Sequence, residues 1–75
     1  MREQTLGEQL VGINFNPSGD EKVAKVKSLY AEIIDLLDDC RKKENDNQKN
    51  RHISVAITEA QTAQMWAVKA ITLGN

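Results

Sequence analysis

Residues 20–44, DEKVAKVKSLYAEIIDLLDDCRKKE, read as one unbroken helix. Val23, Val26, Tyr30, Ile33, Leu37 and Cys40 recur at spacings of 3, 4, 3, 4 and 3, an a/d stripe that predicts packing against a partner helix. Leu29, Ile34 and Leu36 lie off the stripe and widen it, so the helix meets more than one neighbour. At 1.5 Å per residue it would be about 37 Å long.

Outward from this helix the chain changes character on both sides. Upstream, residues 12–19, GINFNPSG, are dense in Gly, Asn, Ser and Pro and read as a loop. Ser18 followed by Glu21 has the form of a capping box for the helix start, and Asp20 and Glu21 suit its positive end. Further back, Leu6, Leu10 and Val11 follow Thr5, which with Glu8 makes another capping box and predicts a short N-terminal helix. Downstream, NDNQKN at 45–50 contains nothing apolar and reads as a turn. A second long helix is predicted from Arg51 to Leu73, with Gly74 closing it. Its apolar face is Ile53, Ile57, Ala60, Ala67 and Ile71, interleaved with Ala56, Ala63 and Ala70, while Met65, Trp66 and Val68 form a second apolar sector. A six-residue connection places the long helices antiparallel. The predicted fold is all-α: one domain over 1–75, with an N-terminal extension and loop at 1–19 and long helices at 20–44 and 51–73.

Composition limits what such a hairpin can do. Ten Lys and Arg against eleven Asp and Glu leave a net charge of −1, which argues against a dedicated DNA- or RNA-binding domain. With 40% apolar residues the chain is not of the disordered class. No apolar run reaches the roughly 18–20 residues of a membrane helix, and the polar start MREQTLGEQ does not read as a signal peptide. A single cysteine excludes an internal disulfide framework and a four-cysteine zinc site. The cytoplasm is the compartment expected by default. A 75-residue chain buries only about 60% of its unfolded surface, and with neither disulfide nor metal the remaining support is oligomerisation. A lone hairpin would leave Leu29, Ile34, Met65 and Trp66 largely wet, so bundling between chains into a closed homo-oligomer is expected.

Catalytic readings are weak. Cys40 and His52 flank the turn, but Asp38 and Asp39 beside Cys40 would raise its thiol pKa, whereas a nucleophile needs it lowered. Cys40 is better read as the last residue of the core stripe. Glu32, Asp35, Asp38 and Asp39 form an acidic ladder without the Glu-x-x-His motif of a helical metal site. The expectation is no catalytic residue, no metal and no cofactor. Anion handling has more support. The Ser18–Asp20 segment opens a helix whose free N–H groups attract anions, with Lys22, Lys25 and Lys27 close in sequence. Phe15, the sole Phe, sits in a polar loop, either as a hydrophobic plug for the hairpin end or as a ring that stacks on a base. Lys69 is the only charged residue after Glu59, and is either snorkelling or facing an anion.

FNPSGDEKVAKVKSLYAEIIDLL, the polar turn and RHISVAITEAQTAQMWAVKAI together resemble the phage anti-CBASS sponge proteins, of one helical-hairpin family with the anti-Thoeris sponges. The likeness covers roughly residues 10–73, and its most specific parts are Phe15–Gly19 and Met65–Ala70. The resemblance implies compact hexamers that sequester cyclic oligonucleotide immune signals without cleaving them, in the cytoplasm of the infected bacterial host. Cyclic dinucleotides would lie between protomers and cyclic trinucleotides at a separate site; neither DNA, RNA nor membrane is an expected partner. Position by position, it makes Phe15 the aromatic that stacks on a purine, Lys27 the phosphate-pairing lysine and Lys69 the late basic residue. Asn16, Ser18 and Thr72 become polar neighbours, and Arg51 and His52 candidates for the second site. Two positions depart from the family pattern: Phe15 stands where a Tyr is familiar, and Lys69 where an Arg is. The alternatives are a small helical adaptor, or a sponge for the glycocyclic ADP-ribose signals of Thoeris defence.

Overall fold

A computed structural model describes residues 3–74; the outermost positions of the single domain expected over 1–75 lie outside the described residues. Three helices and no strand occur among them: α1 (Leu6–Val11), α2 (Glu21–Lys43) and α3 (Asn47–Thr72).

Each helix begins at a side-chain cap. Thr5 and Glu8 form the expected reciprocal box: Glu8 N–H donates to Thr5 Oγ1 (3.1 Å) and Thr5 N–H to Glu8 Oε1 (2.9 Å). At α2 the cap is Asp20, whose carboxylate accepts from Lys22 N–H at 2.7 Å. The Ser18–Glu21 box expected there does not form, because the Ser18 hydroxyl is spent inside the preceding turn. α3 starts four residues earlier than its apolar periodicity predicts. Asp46 caps it by accepting from Gln48 and Lys49 N–H, and Asn50 Nδ2 ties its first turn to the Glu44 carbonyl at 2.9 Å. Only Glu44–Asp46 separate the long helices. They run antiparallel: Arg41 late in α2 donates to Ser54 early in α3, while Val23 and Val68 line one cleft at the other end. Gly74, with φ 86°, follows α3 in the left-handed region that favours glycine.

α1 lies antiparallel on α2, held at both ends. Gly7 N–H donates to Asp35 Oδ1 at 2.7 Å, and Lys27 Nζ donates to the carbonyl of Gly12, the residue that ends α1, at 3.0 Å. Between these points Gly7 packs directly on the α2 backbone at Ala31: a Cβ on Gly7 would overlap the Ala31 carbonyl oxygen and come within 2.8 Å of the Asp35 carboxylate.

This second neighbour shifts the phase of the core. Val23, Lys27, Ala31 and Ile34 are the buried face of α2, joined by Val11 and Ile57. Ile34, expected to be wet in a single hairpin, is 0% exposed. Ile33 and Cys40, expected on the core stripe, are exposed. The apolar arc of α2 is two stripes rather than one: a buried stripe shared by α1 and α3, and an outward stripe of Leu29, Ile33 and Leu36 continuing to Cys40. Met65 and Trp66 on α3 are 61% and 66% exposed, as expected. The extents of 45 × 30 × 12 Å describe a flat molecule.

Two predictions test these contacts. Gly7→Ala should lower stability by about 1–3 kcal/mol, as overpacking does, read as a lower urea midpoint with early amide exchange in α1. The Asp38 carboxyl is held below its ordinary value of 3.8, first by its hydrogen bond from Arg41 and further by Lys42. Its stabilising effect is therefore complete above that ordinary value and is lost as pH falls through the lower folded-state value. Arg41→Ala should move the Asp38 titration, followed by NMR, back up towards 3.8.

Candidate functional site

At the end of the layer opposite the α2–α3 connection, the 12–19 loop and the tips of the long helices enclose a cleft of about 220 Å³. Local bonding fixes the loop. Gly12 ends α1 in the left-handed conformation (φ 65°), with its N–H on Gln9 O and the next N–H on Glu8 O. Phe15 N–H then turns back to Gly12 O at 2.9 Å, and Gly19 N–H to Asn16 O at 3.1 Å across Pro17 and Ser18. Within that turn Ser18 Oγ donates to Asn16 Oδ1 (2.7 Å) and accepts from Asp20 N–H (3.1 Å), and Asn16 Nδ2 donates to Asp20 O.

Phe15 leaves this frame pointing outward, 71% exposed at the rim. The Lys27 ammonium lies 5.5 Å from the centroid of its ring, a cation–π distance. Lys27 is only 5% exposed, and its Nζ donates to the Phe15 carbonyl as well as to Gly12 O. Val23 and Val68 supply the apolar floor. Thr72 closes the α3 side; its hydroxyl donates to Val68 O at 2.9 Å, and its oxygen stays able to accept. The cleft thus offers one exposed ring, an apolar floor and a buried positive charge.

Five of the eight residues singled out from sequence come together here: Phe15, Asn16, Ser18, Lys27 and Thr72. Lys69 is not among the lining residues. It is exposed, one position past Val68, and its ammonium lies 5.5 Å from the Trp66 ring. Arg51 and His52 border a different depression with Val55, about 30 Å along α3 from Thr72 at helical rise. His52 Nδ1–H donates to Gln48 O at 2.7 Å. Pro17, Val23 and Val68 line the cleft without having been anticipated; for Pro17 the signal was its place inside the Phe15–Gly19 motif, whereas the two valines look like ordinary core residues. Three acids of the α2 ladder make structural bonds: Asp35 takes Gly7 N–H, Asp38 pairs with Arg41 and Lys42, and Asp39 with Lys43.

Phe15→Ala should leave helicity and unfolding midpoint nearly unchanged, since the ring is on the rim and outside the core; circular dichroism with a urea titration measures both. A large loss of stability would identify the ring as the plug of the hairpin end.

Residues 8–72 match the family described as Acb2/Tad1, hairpin domain. No curated protein and no solved structure matches the sequence. The match runs from α1 to the last residue of α3, and the family is one of sponge-type binding domains known for cyclic nucleotides, not an enzyme family. The chain belongs to the Acb2/Tad1 hairpin family, the phage anti-CBASS and anti-Thoeris sponges.

Proposed function

We propose that the protein is a non-catalytic sponge that binds cyclic oligonucleotide immune signals in the host cytoplasm and so blocks CBASS defence. Cyclic dinucleotides would occupy the Phe15 cleft, at seams between protomers of a homo-oligomer, with six the number the family resemblance implies. The observation that carries this reading is the open ring of Phe15 at the mouth of an apolar cleft with a cation beneath it. A cyclic dinucleotide presents two flat bases and two phosphates, and stacking one base on an aromatic ring contributes about 1–3 kcal/mol.

Size supports a second protomer. Ligand pockets that enclose a drug-sized molecule run to about 300–1,000 Å³, and the 220 Å³ of one chain falls below that range, which supports a site completed by a second protomer. The chain also exposes 5598 Å², whereas a compact 8.4 kDa monomer would expose about 4,600 Å². The excess of about 1,000 Å² is of the order of one partner's share of a stable interface. Leu29, Ile33 and Leu36 on α2 and Met65 and Trp66 on α3 are the apolar surface available for it. Lys69 would meet ligand phosphates from the seam, with Asn16, Ser18 and Thr72 as polar neighbours of the bound molecule. Arg51 and His52 would serve a separate site for cyclic trinucleotides, with two cation-capable groups beside Val55.

The same chemistry, a base joined to phosphates, would fit glycocyclic ADP-ribose signals, so the ligand panel includes them beside cyclic di- and trinucleotides. Free cyclic dinucleotide should fall on mixing and return chemically intact after heat denaturation, and Phe15→Ala should weaken binding by roughly 5- to 150-fold, the equivalent of one lost stack. Recovery of hydrolysed nucleotide would overturn the sponge reading, and absence of affinity for the whole panel would favour the adaptor. By light scattering after size exclusion, the wild type should be a multiple of 8.4 kDa, and Ile33→Asp should lower that mass without loss of helicity. A well-folded monomer at micromolar concentration would rule out the seam.

A further inference from the structure

The two buried polar side chains of the described residues, Lys27 and Gln64, are each 5% exposed, and the register of the hairpin puts them at one level. Val23 and Val68 line the cleft together, and Ile34 and Ile57 share the core. Lys27 is four residues past Val23 on α2, and Gln64 four before Val68 on the antiparallel α3. Counting from the core, seven residues back from Ile34 and seven on from Ile57, arrives at the same two positions. We infer that this polar layer severs the cleft floor from the core, so that the cleft end of the hairpin opens as a unit of its own while the core stays shut. On the cyclic-nucleotide reading, on which this consequence rests, the opening is how the floor yields to a ligand.

Val23 is only 2% exposed, yet it lies outside the core cluster of Val11, Ala31, Ile34 and Ile57, and Val68 is not among the side chains packed on that cluster. Apolar packing thus stops at the layer and resumes beyond it. Gln64 does not mend the gap. None of the hydrogen bonds of the described residues reaches its amide, which has two N–H donors and an acceptor oxygen to satisfy, and a buried polar group without a partner is costly. The Lys27 ammonium is polar whether it bonds the loop carbonyls or a ligand, so the layer persists in both states. The braces of the fold lie at the layer or on its core side: α1 meets α2 at Lys27, Ala31 and Asp35, and Arg41 ties α2 to Ser54 near the connection. Past the layer, the start of α2 and the end of α3 form the open end of the hairpin. Segments that bind ligands are drawn from such units of low local stability.

Native-state amide exchange at low urea reads the two units apart. In the wild type, amides of residues 68–72 should exchange through an opening with weaker urea dependence than those of residues 57–63. Met matches Gln in helix propensity and lacks its polar amide, so Gln64→Met should join the floor to the core. Exchange at residues 68–72 should then slow by about 5- to 150-fold, the equivalent of one unpaired buried polar group, with a urea dependence approaching that of the core. A single opening shared by residues 57–72 in the wild type would overturn the inference. Unchanged or faster exchange at 68–72 in Gln64→Met would do the same, being the mark of simple end fraying or of a layer already bridged by water.

Affinity for cyclic di-AMP, by calorimetry, tests the consequence. Gln64→Met should weaken binding by the factor by which it slows exchange, because the added closing free energy has to be overcome before the ligand is admitted. Slowed exchange with unchanged affinity would overturn the role of the opening in binding. Should the wild type bind no cyclic di-AMP, the sponge reading loses its support there, while the exchange comparison still decides whether the polar layer divides the hairpin.

Discussion

The grip of α2 on α1 is the constraint from which the rest of the molecule follows. Asp35 accepts the N–H of Gly7 at the start of the short helix and Lys27 donates to Gly12 at its end. A carboxylate thus faces the positive pole of α1 and an ammonium its negative pole, and both come from one face of α2, eight residues apart. Six residues are too few for a helix to persist alone. α1 exists because charged hydrogen bonds hold its two ends and because Gly7 allows backbone contact at Ala31. The same lysine then fixes the carbonyl of Phe15. Docking of the N-terminal helix and the pose of the ring at the cleft are therefore one event, and a change that loosens α1 reaches the site without touching it.

A three-helix layer solves the packing problem only halfway. α2 spends one face on α1 and α3, which together bury Ile34 completely, and none of the described residues covers its other face. Among the described residues no fourth helix closes the layer, and Leu29, Ile33 and Leu36 remain outside at i, i+4, i+7 spacing. An apolar stripe of that spacing is the geometry of a helix–helix seam. The shortage of core and the openness of the cleft are two results of one cause, a fold with too few layers, and a single association can relieve both.

Local rules read the chain well where a local interaction decides, and less well where a distant one does. The Thr5–Glu8 box and the loop at 12–19 depend on neighbours in sequence, and both were legible. Ser18 was misread because its hydroxyl had two local uses and the turn around Asn16 won over the cap. The first turn of α3 was missed because NQKN carries no apolar periodicity; it is held by the Asp46 cap and the Asn50 bond to Glu44, both polar. The phase error on α2 has a different origin. Periodicity treats Lys27 as surface by charge, which removes the one position that marks the true buried stripe at 23, 27, 31 and 34. Ala31 carried no weight because it is small, and its smallness is what lets Gly7 approach. In the site, the loop and the two helix tips come together at positions that the family resemblance named, whereas Lys69 and Arg51 with His52 face other surfaces because helical phase and length separate them.

The hydrogen bonding of the loop also bears on what a single chain can discriminate. Asn16 and Ser18 satisfy each other and the start of α2, and Lys27 is committed to carbonyls. The cleft as one chain forms it therefore offers stacking and apolar contact, which every base can accept, and few uncommitted donors to read a base edge. Rejection of a wrong ligand by orders of magnitude needs buried polar groups left unpaired by the impostor. Such groups would, on the proposed reading, come from a facing protomer, with Lys69 a candidate, beside the acceptor oxygen of Thr72 that this chain's cleft already offers. On the proposed reading, selectivity among cyclic nucleotides is thus a property of the seam, while the exposed Phe15 ring supplies a general affinity for flat bases.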